Sequence, residues 1–170
     1  MATPQPNAET VEALLDTTWR MSASEAARTD ALDRKASTLA SFASVVIALT
    51  GSLGLRLVDT TPTWWAALLL TVSLVSLAGA VGLAVKALFP REYLTLGMDY
   101  LRRFPTWSEI LKPPEQVRGE TMRGLIEALA RERAANDGKS RLVKGAYVTL
   151  GLGLAIGIVD VVILAAEEVW

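Results

Sequence analysis

The sequence predicts an all-α integral membrane protein with three transmembrane helices. Apolar residues make up 51% of its 170 residues and the mean hydropathy is positive, a balance that soluble domains of this size rarely show. Three apolar blocks each reach the roughly 20 residues needed to cross a hydrocarbon core of about 30 Å at 1.5 Å per residue. Lys and Arg are nearly absent from those blocks and gather on one side of them.

Residues 1–36 come first and carry several acids with no apolar core, so they do not resemble a cleaved secretory signal. Insertion is then directed by the first span itself. After Pro6 the stretch has good helix formers and a loose apolar face from Val11, Leu14, Leu15, Met21 and Leu32. No Gly or Pro interrupts it before Gly51, which predicts one long helix running into the first span.

The first span is predicted at 37–58, the second at 64–89 and the third at 146–166. None carries the polar stripe that a buried helix of a soluble bundle would show; helices apolar all round read as spans. Asp59-Thr-Thr-Pro-Thr63 forms a short hairpin turn, followed by Trp64 and Trp65, whose amphipathic rings favour a membrane interface, as does that of Trp170. The linker, 90–145, is predicted to be helical in pieces. Thr106-Trp-Ser-Glu109 is a weak capping box, Pro113-Pro114 starts a helix from about Glu115 to Ala135, and Asn136-Asp-Gly138 kinks or breaks it before the third span.

Arg56 alone among the seventeen Lys and Arg lies near the loop between the first two blocks. The other sixteen lie before the first block, in the linker, or at the inner end of the second block at Lys86. The positive-inside rule therefore places the N-terminus and the linker in the cytoplasm of a multi-pass protein of the plasma (inner) membrane.

Composition also removes most catalytic plans. There is no cysteine and no histidine, hence no thiol nucleophile and neither the usual metal ligand nor the usual general base near neutral pH. No Gly-rich phosphate loop, paired catalytic carboxylates or nucleophile elbow occurs, so the expectation is a protein that is not an enzyme and needs no cofactor, metal or nucleic-acid partner.

The remaining candidates are positional. Gly151, Gly153 and Gly157 on the third span, and Gly79 and Gly82 on the second, let helix backbones approach closely; they pack the helices of one protomer or contact a second copy. Asp160 lies inside the third span, where an ionised carboxylate costs at least a few kcal/mol unless it faces protein or water. It either pairs with Arg56 at comparable depth or lines a polar path. Asp33-Arg-Lys35-Ala36 lies just inside the first span and Asn136-Asp-Gly-Lys139 just inside the third. If those spans run parallel, Asp33 and Lys139 are within reach of each other; otherwise these are charges solvated among headgroups. Arg102, Arg103, Lys112, Arg118 and Arg123 gather basic charge beside Tyr100, Phe104 and Trp107, a set suited either to anionic headgroups or to a phosphate and a stacked base.

Arg28-Thr-Asp-Ala-Leu-Asp33-Arg-Lys35-Ala36 ahead of a first span, a short outer hairpin, a helical linker, and Asn136-x-x-Lys139 ahead of a last span together resemble the Pycsar-type transmembrane effector domain of bacterial anti-phage defence. Related SLATT effector domains share the plan. The resemblance covers nearly the whole chain. It implies a small membrane protein kept silent until infection. A cyclic pyrimidine mononucleotide, cyclic CMP or cyclic UMP, made by a nucleotide cyclase, then leads to membrane damage and abortive infection. The chain thus reads as an effector that forms a homo-oligomer in the lipid bilayer; the alternatives are a small ion channel or transporter subunit, or a membrane scaffold anchoring a cytoplasmic partner. No separate nucleotide-binding module is present, so the signal is bound either by the linker or by another protein.

Overall fold

A computed structural model describes residues 8–58, 64–89 and 113–169, and these form three helices. α1 spans Ala8–Val58, α2 spans Trp64–Leu88 and α3 spans Pro114–Val169. Each is long and apolar enough to cross a membrane.

α1 opens with Glu9 in its first turn, where a carboxylate meets the positive end of the helix dipole. It continues without interruption through the predicted first span, as the absence of early Gly and Pro anticipates. α2 closes on Lys86 in its last turn, the matching charge for the negative end. Phe89 N–H still donates to the Val85 carbonyl at 3.1 Å.

α3 corrects the sequence reading. The Pro113 carbonyl accepts from the N–H groups of Gln116 and Val117 at 3.0 and 3.3 Å, and Pro114 takes the first helical position, where its missing N–H costs nothing. The helix then runs without a break through Asn136-Asp137-Gly138 and on to Val169, so of the kink or break expected there the break does not occur. Linker helix and third span are therefore one element. Asn and Asp each cost up to about 0.7 kcal/mol, and Gly about 1 kcal/mol, relative to Ala in a helix. A hydrogen bond to a charged group returns about 1.5–3 kcal/mol, and Asn136 makes one, as described below. Tertiary contacts thus override local propensity. The capping box at Thr106–Glu109 and the turn at 59–63 lie outside the described residues.

The chain divides into two compact units. One combines Ala31–Pro90 with Gly138–Trp170. Its core draws Ala36, Leu39 and Ala43 from α1, Leu77, Ala80, Ala84 and Ala87 from α2, and Val143, Ala146 and Leu150 from α3. Alanine dominates because small side chains let helix axes approach, the packing mode available where lipid offers no hydrophobic drive. The outer faces are apolar as well: Phe42, Val45, Leu49, Val75, Val148, Ile158 and Val162 are all exposed. The other unit combines Met1–Asp30 with Arg91–Asp137, and there Thr18, Glu25, Leu125 and Asn136 are buried.

Candidate functional site

Within the unit built from Met1–Asp30 and Arg91–Asp137, the buried positions among the described residues are mostly polar. Glu25 is 7% exposed and Asn136 0%. The Asn136 amide nitrogen donates to the Glu25 backbone carbonyl at 3.2 Å and to its carboxylate Oε2 at 3.1 Å. In return the Thr29 hydroxyl donates to Asn136 Oδ1 at 2.9 Å. Arg133 Nε donates to Glu25 Oε1 at 3.2 Å, and Arg28 Nη1 lies 3.4 Å from Oε2. Arg28 also reaches Asp137 Oδ1 at 2.8 Å.

A carboxylate so surrounded by donors is favoured in its ionised form. The hydrogen bond from Asn136 holds the Glu25 carboxyl below its usual range against the opposing effect of burial, with further help from Arg133 and Arg28. Arg28 is held above its usual range chiefly by the bond to Asp137. This arrangement fixes helix positions; it leaves the carboxylate occupied rather than poised to take a proton from a substrate.

Within the other unit, Lys139 Nζ donates to Asp33 Oδ1 at 2.8 Å. The motifs ahead of the first and third spans thus meet through these two residues, while Lys35, from the same first motif, is exposed. Deeper along α3, Gly153 packs against α2. A Cβ there would lie 2.9 Å from Leu77 Cγ and 3.2 Å from the Ser73 carbonyl oxygen, and the Ser73 hydroxyl donates to the Gly153 carbonyl at 2.8 Å. At Gly157 the corresponding distance to Ser73 Oγ is 3.1 Å. Gly79, Gly82 and Gly151 have open space where a Cβ would stand. The five glycines therefore divide between helix contact and outward-facing surface.

Asp160 is 4% exposed, and its Oδ1 has no hydrogen-bond partner among the described residues. The Arg56 side chain lies outside those described, so the pairing weighed for it has no geometry here. Arg102, Arg103 and Lys112 also lie outside the described residues. Arg118 and Arg123 are exposed on α3, but five positions on a helix turn through about 140°, so they point to different sides. Glu25 and Arg133 are not among the residues selected from the sequence, and Arg28, Thr29 and Asp137 fall inside the quoted motifs without a role of their own. Their signal is the spacing: Glu25 and Thr29 precede Asp33 by eight and four positions, Asn136 precedes Lys139 by three, and Arg133 precedes Asn136 by three, intervals that share a helix face. Among the described residues no group of three or more His, Cys, Asp or Glu gathers as a metal site.

These features define an all-helical membrane protein whose buried polar groups tie helices together. Its family follows from comparison with known proteins: a family model described as the Pycsar effector protein domain matches residues 17–166, and the chain belongs to that family. No curated protein and no solved structure matches the chain. Membership supports a role in cyclic-nucleotide-signalled anti-phage defence, and the family is one of non-enzymatic effectors.

Proposed function

We propose that this chain is a membrane effector that oligomerises and disrupts the integrity of the bacterial inner membrane when a cyclic pyrimidine mononucleotide, cyclic CMP or cyclic UMP, rises in the cytoplasm. The observation that carries the reading is the family match over residues 17–166, which takes in the whole of α2 and most of the other two helices able to cross a membrane. The distribution of Lys and Arg supports a cytoplasmic N-terminus and linker. Asp33 with Lys139, and Asn136 with its partners, then hold the resting arrangement. Gly79, Gly82 and Gly151, open on the surface, are the positions at which copies of the chain approach each other. Arg102, Arg103, Lys112, Arg118 and Arg123 supply positive charge for an anion, either a headgroup or the signal. A functional link to a nucleotide cyclase follows from the same reading.

A second reading, an ion channel or transporter subunit, draws on the buried Asp160 inside the third span, since intramembrane carboxylates commonly mark a path for ions or protons. One experiment separates the two. Cells expressing the chain are followed with a potential-sensitive dye and by viable count, with and without a co-expressed pyrimidine cyclase. The effector reading expects an unchanged potential without the cyclase, and depolarisation with loss of viability when it is present. Ion flux without toxicity favours the channel, and an unchanged potential despite verified expression and verified nucleotide overturns the effector reading.

A further inference from the structure

α3 contains a helix-ending sequence that is held helical. Asn136 and Asp137 bear side chains that compete for backbone hydrogen bonds, and Gly138 is the residue best suited to leave the helical region just past a helix end. Yet the helix continues through all three. At this point its side chains are held from α1: Asn136 by the carbonyl and carboxylate of Glu25 and by Thr29, and Asp137 by Arg28.

We propose that Glu25 is a latch on a hinge at Asn136–Gly138, and that α3 has two forms: continuous while Glu25 holds Asn136, and ended at Asp137 when it lets go. Release frees the Asn136 amide to turn back on its own backbone, and Gly138 then takes the cap position just past the new helix end. The two forms differ by a small set of named bonds, so any event that withdraws the Glu25 carboxylate or its arginines shifts the balance between them. The device is thus a bistable helix in the segment ahead of the third span. It does not depend on the effector reading, because it is a property of the chain without any signal.

The test uses the absence of native cysteine. Glu127→Cys and Lys144→Cys, both at exposed positions on α3, carry spin labels on the full chain in lipid nanodiscs. Seventeen residues of continuous helix separate them by about 25 Å. The otherwise unchanged chain is expected to give one narrow distance distribution, and Glu25→Ala to add a broad, shorter population amounting to a third or more of the spins. Adding Asn136→Ala, Asp137→Ala and Gly138→Ala to Glu25→Ala removes the breaker and should restore the narrow distance. An unchanged distribution in Glu25→Ala overturns the proposal, and so does a broad one that persists in the alanine-substituted chain. If Glu25→Ala does not insert, Thr29→Val and Arg133→Gln take its place, the first removing the hydroxyl that meets Asn136 Oδ1 and the Glu25 carbonyl, the second the Nε bond to the Glu25 carboxylate. Broadening in either supports the latch, and a narrow distance in both overturns it.

Discussion

Lys139 donates to Asp33 at 2.8 Å with its own side chain only 3% exposed, while that of Asp33 is 38% exposed. The pair is asymmetric: the ammonium is enclosed and the carboxylate is half open to its surroundings. Exposed pairs are typically worth under about 1 kcal/mol, but an enclosed charge depends much more on its counter-ion. Asp33→Lys and Lys139→Asp are each expected to cost about 3 kcal/mol. The exchanged double variant should recover about 1 kcal/mol or more, the coupling of residues in contact. Membrane-inserted yield and thermal unfolding of the four chains in detergent check this; strictly additive losses would separate the two residues functionally.

The Glu25 carboxyl is held below its ordinary value of 4.5, first by Asn136 and then by Arg133 and Arg28. A group with a depressed folded value contributes stability above its unfolded value and loses that contribution as pH falls through the folded one. The bundle formed by α1 and the first part of α3 should therefore keep its full resistance to protease from neutral pH down to about 4.5 and lose it progressively below. Glu25→Gln should flatten that dependence. At neutral pH, Glu25→Ala removes the carboxylate that accepts from Asn136, Arg133 and Arg28 and should destabilise by about 2 kcal/mol. Limited proteolysis across a pH series measures both effects.

Gly153 and Gly151 lie two positions apart and should respond oppositely to one added methyl group. At Gly153 the new carbon would lie 2.9 Å from Leu77 Cγ and 3.2 Å from a backbone oxygen of α2, so Gly153→Ala should cost about 1–3 kcal/mol by overpacking. Leu77→Ala should relieve part of that cost in the double variant. Gly151→Ala and Gly79→Ala meet open space and should stabilise the folded protomer by up to about 1 kcal/mol through helix propensity. Melting temperatures in one detergent, compared across the set, decide the matter.

The proposed topology has its own check, since it rests on the placement of sixteen of the seventeen Lys and Arg. A reporter active only outside the cytoplasm, fused after Trp170 and separately after Ile110, should report in the first fusion alone. Signal from both, or from the second only, would reverse the assignment.

Much of this architecture was legible because apolar block length and helix propensity act locally. α1 from Ala8 and α2 from Trp64 follow from runs without Pro or early Gly. Asp33 and Lys139 were legible for a different reason: each precedes a span by a short, countable interval, and helix geometry converts that count into proximity. The continuity of α3 was hidden because Asn136-Asp137-Gly138 carries a genuine local preference to stop. The bonds that overrule it come from residues 107 to 111 positions away. Glu25 was hidden for the same reason. It sits among exposed polar residues of the N-terminal helix, and only its partner's position distinguishes it from a solvated charge. The glycines were legible as small residues, but which of them meet a neighbouring helix depends on rotation about the helix axis, which spacing alone leaves open.

The alanine-lined seam of the Ala31–Pro90 and Gly138–Trp170 unit sets a particular rule for how its sequence can drift. In a water-soluble core, polarity sorts inside from outside; here both sides of each helix are apolar, so the seam can tell residues apart only by bulk. Ala36, Ala43, Ala80, Ala84 and Ala146 should accept glycine or serine, whose hydroxyl can bond the preceding turn of its own helix, as Ser44 and Ser76 already do. The same positions should reject valine and leucine, which the outward faces take freely. The inheritance of this fold is then governed by a volume ceiling at a handful of sites, and a saturation library sorted for membrane insertion would show that ceiling directly.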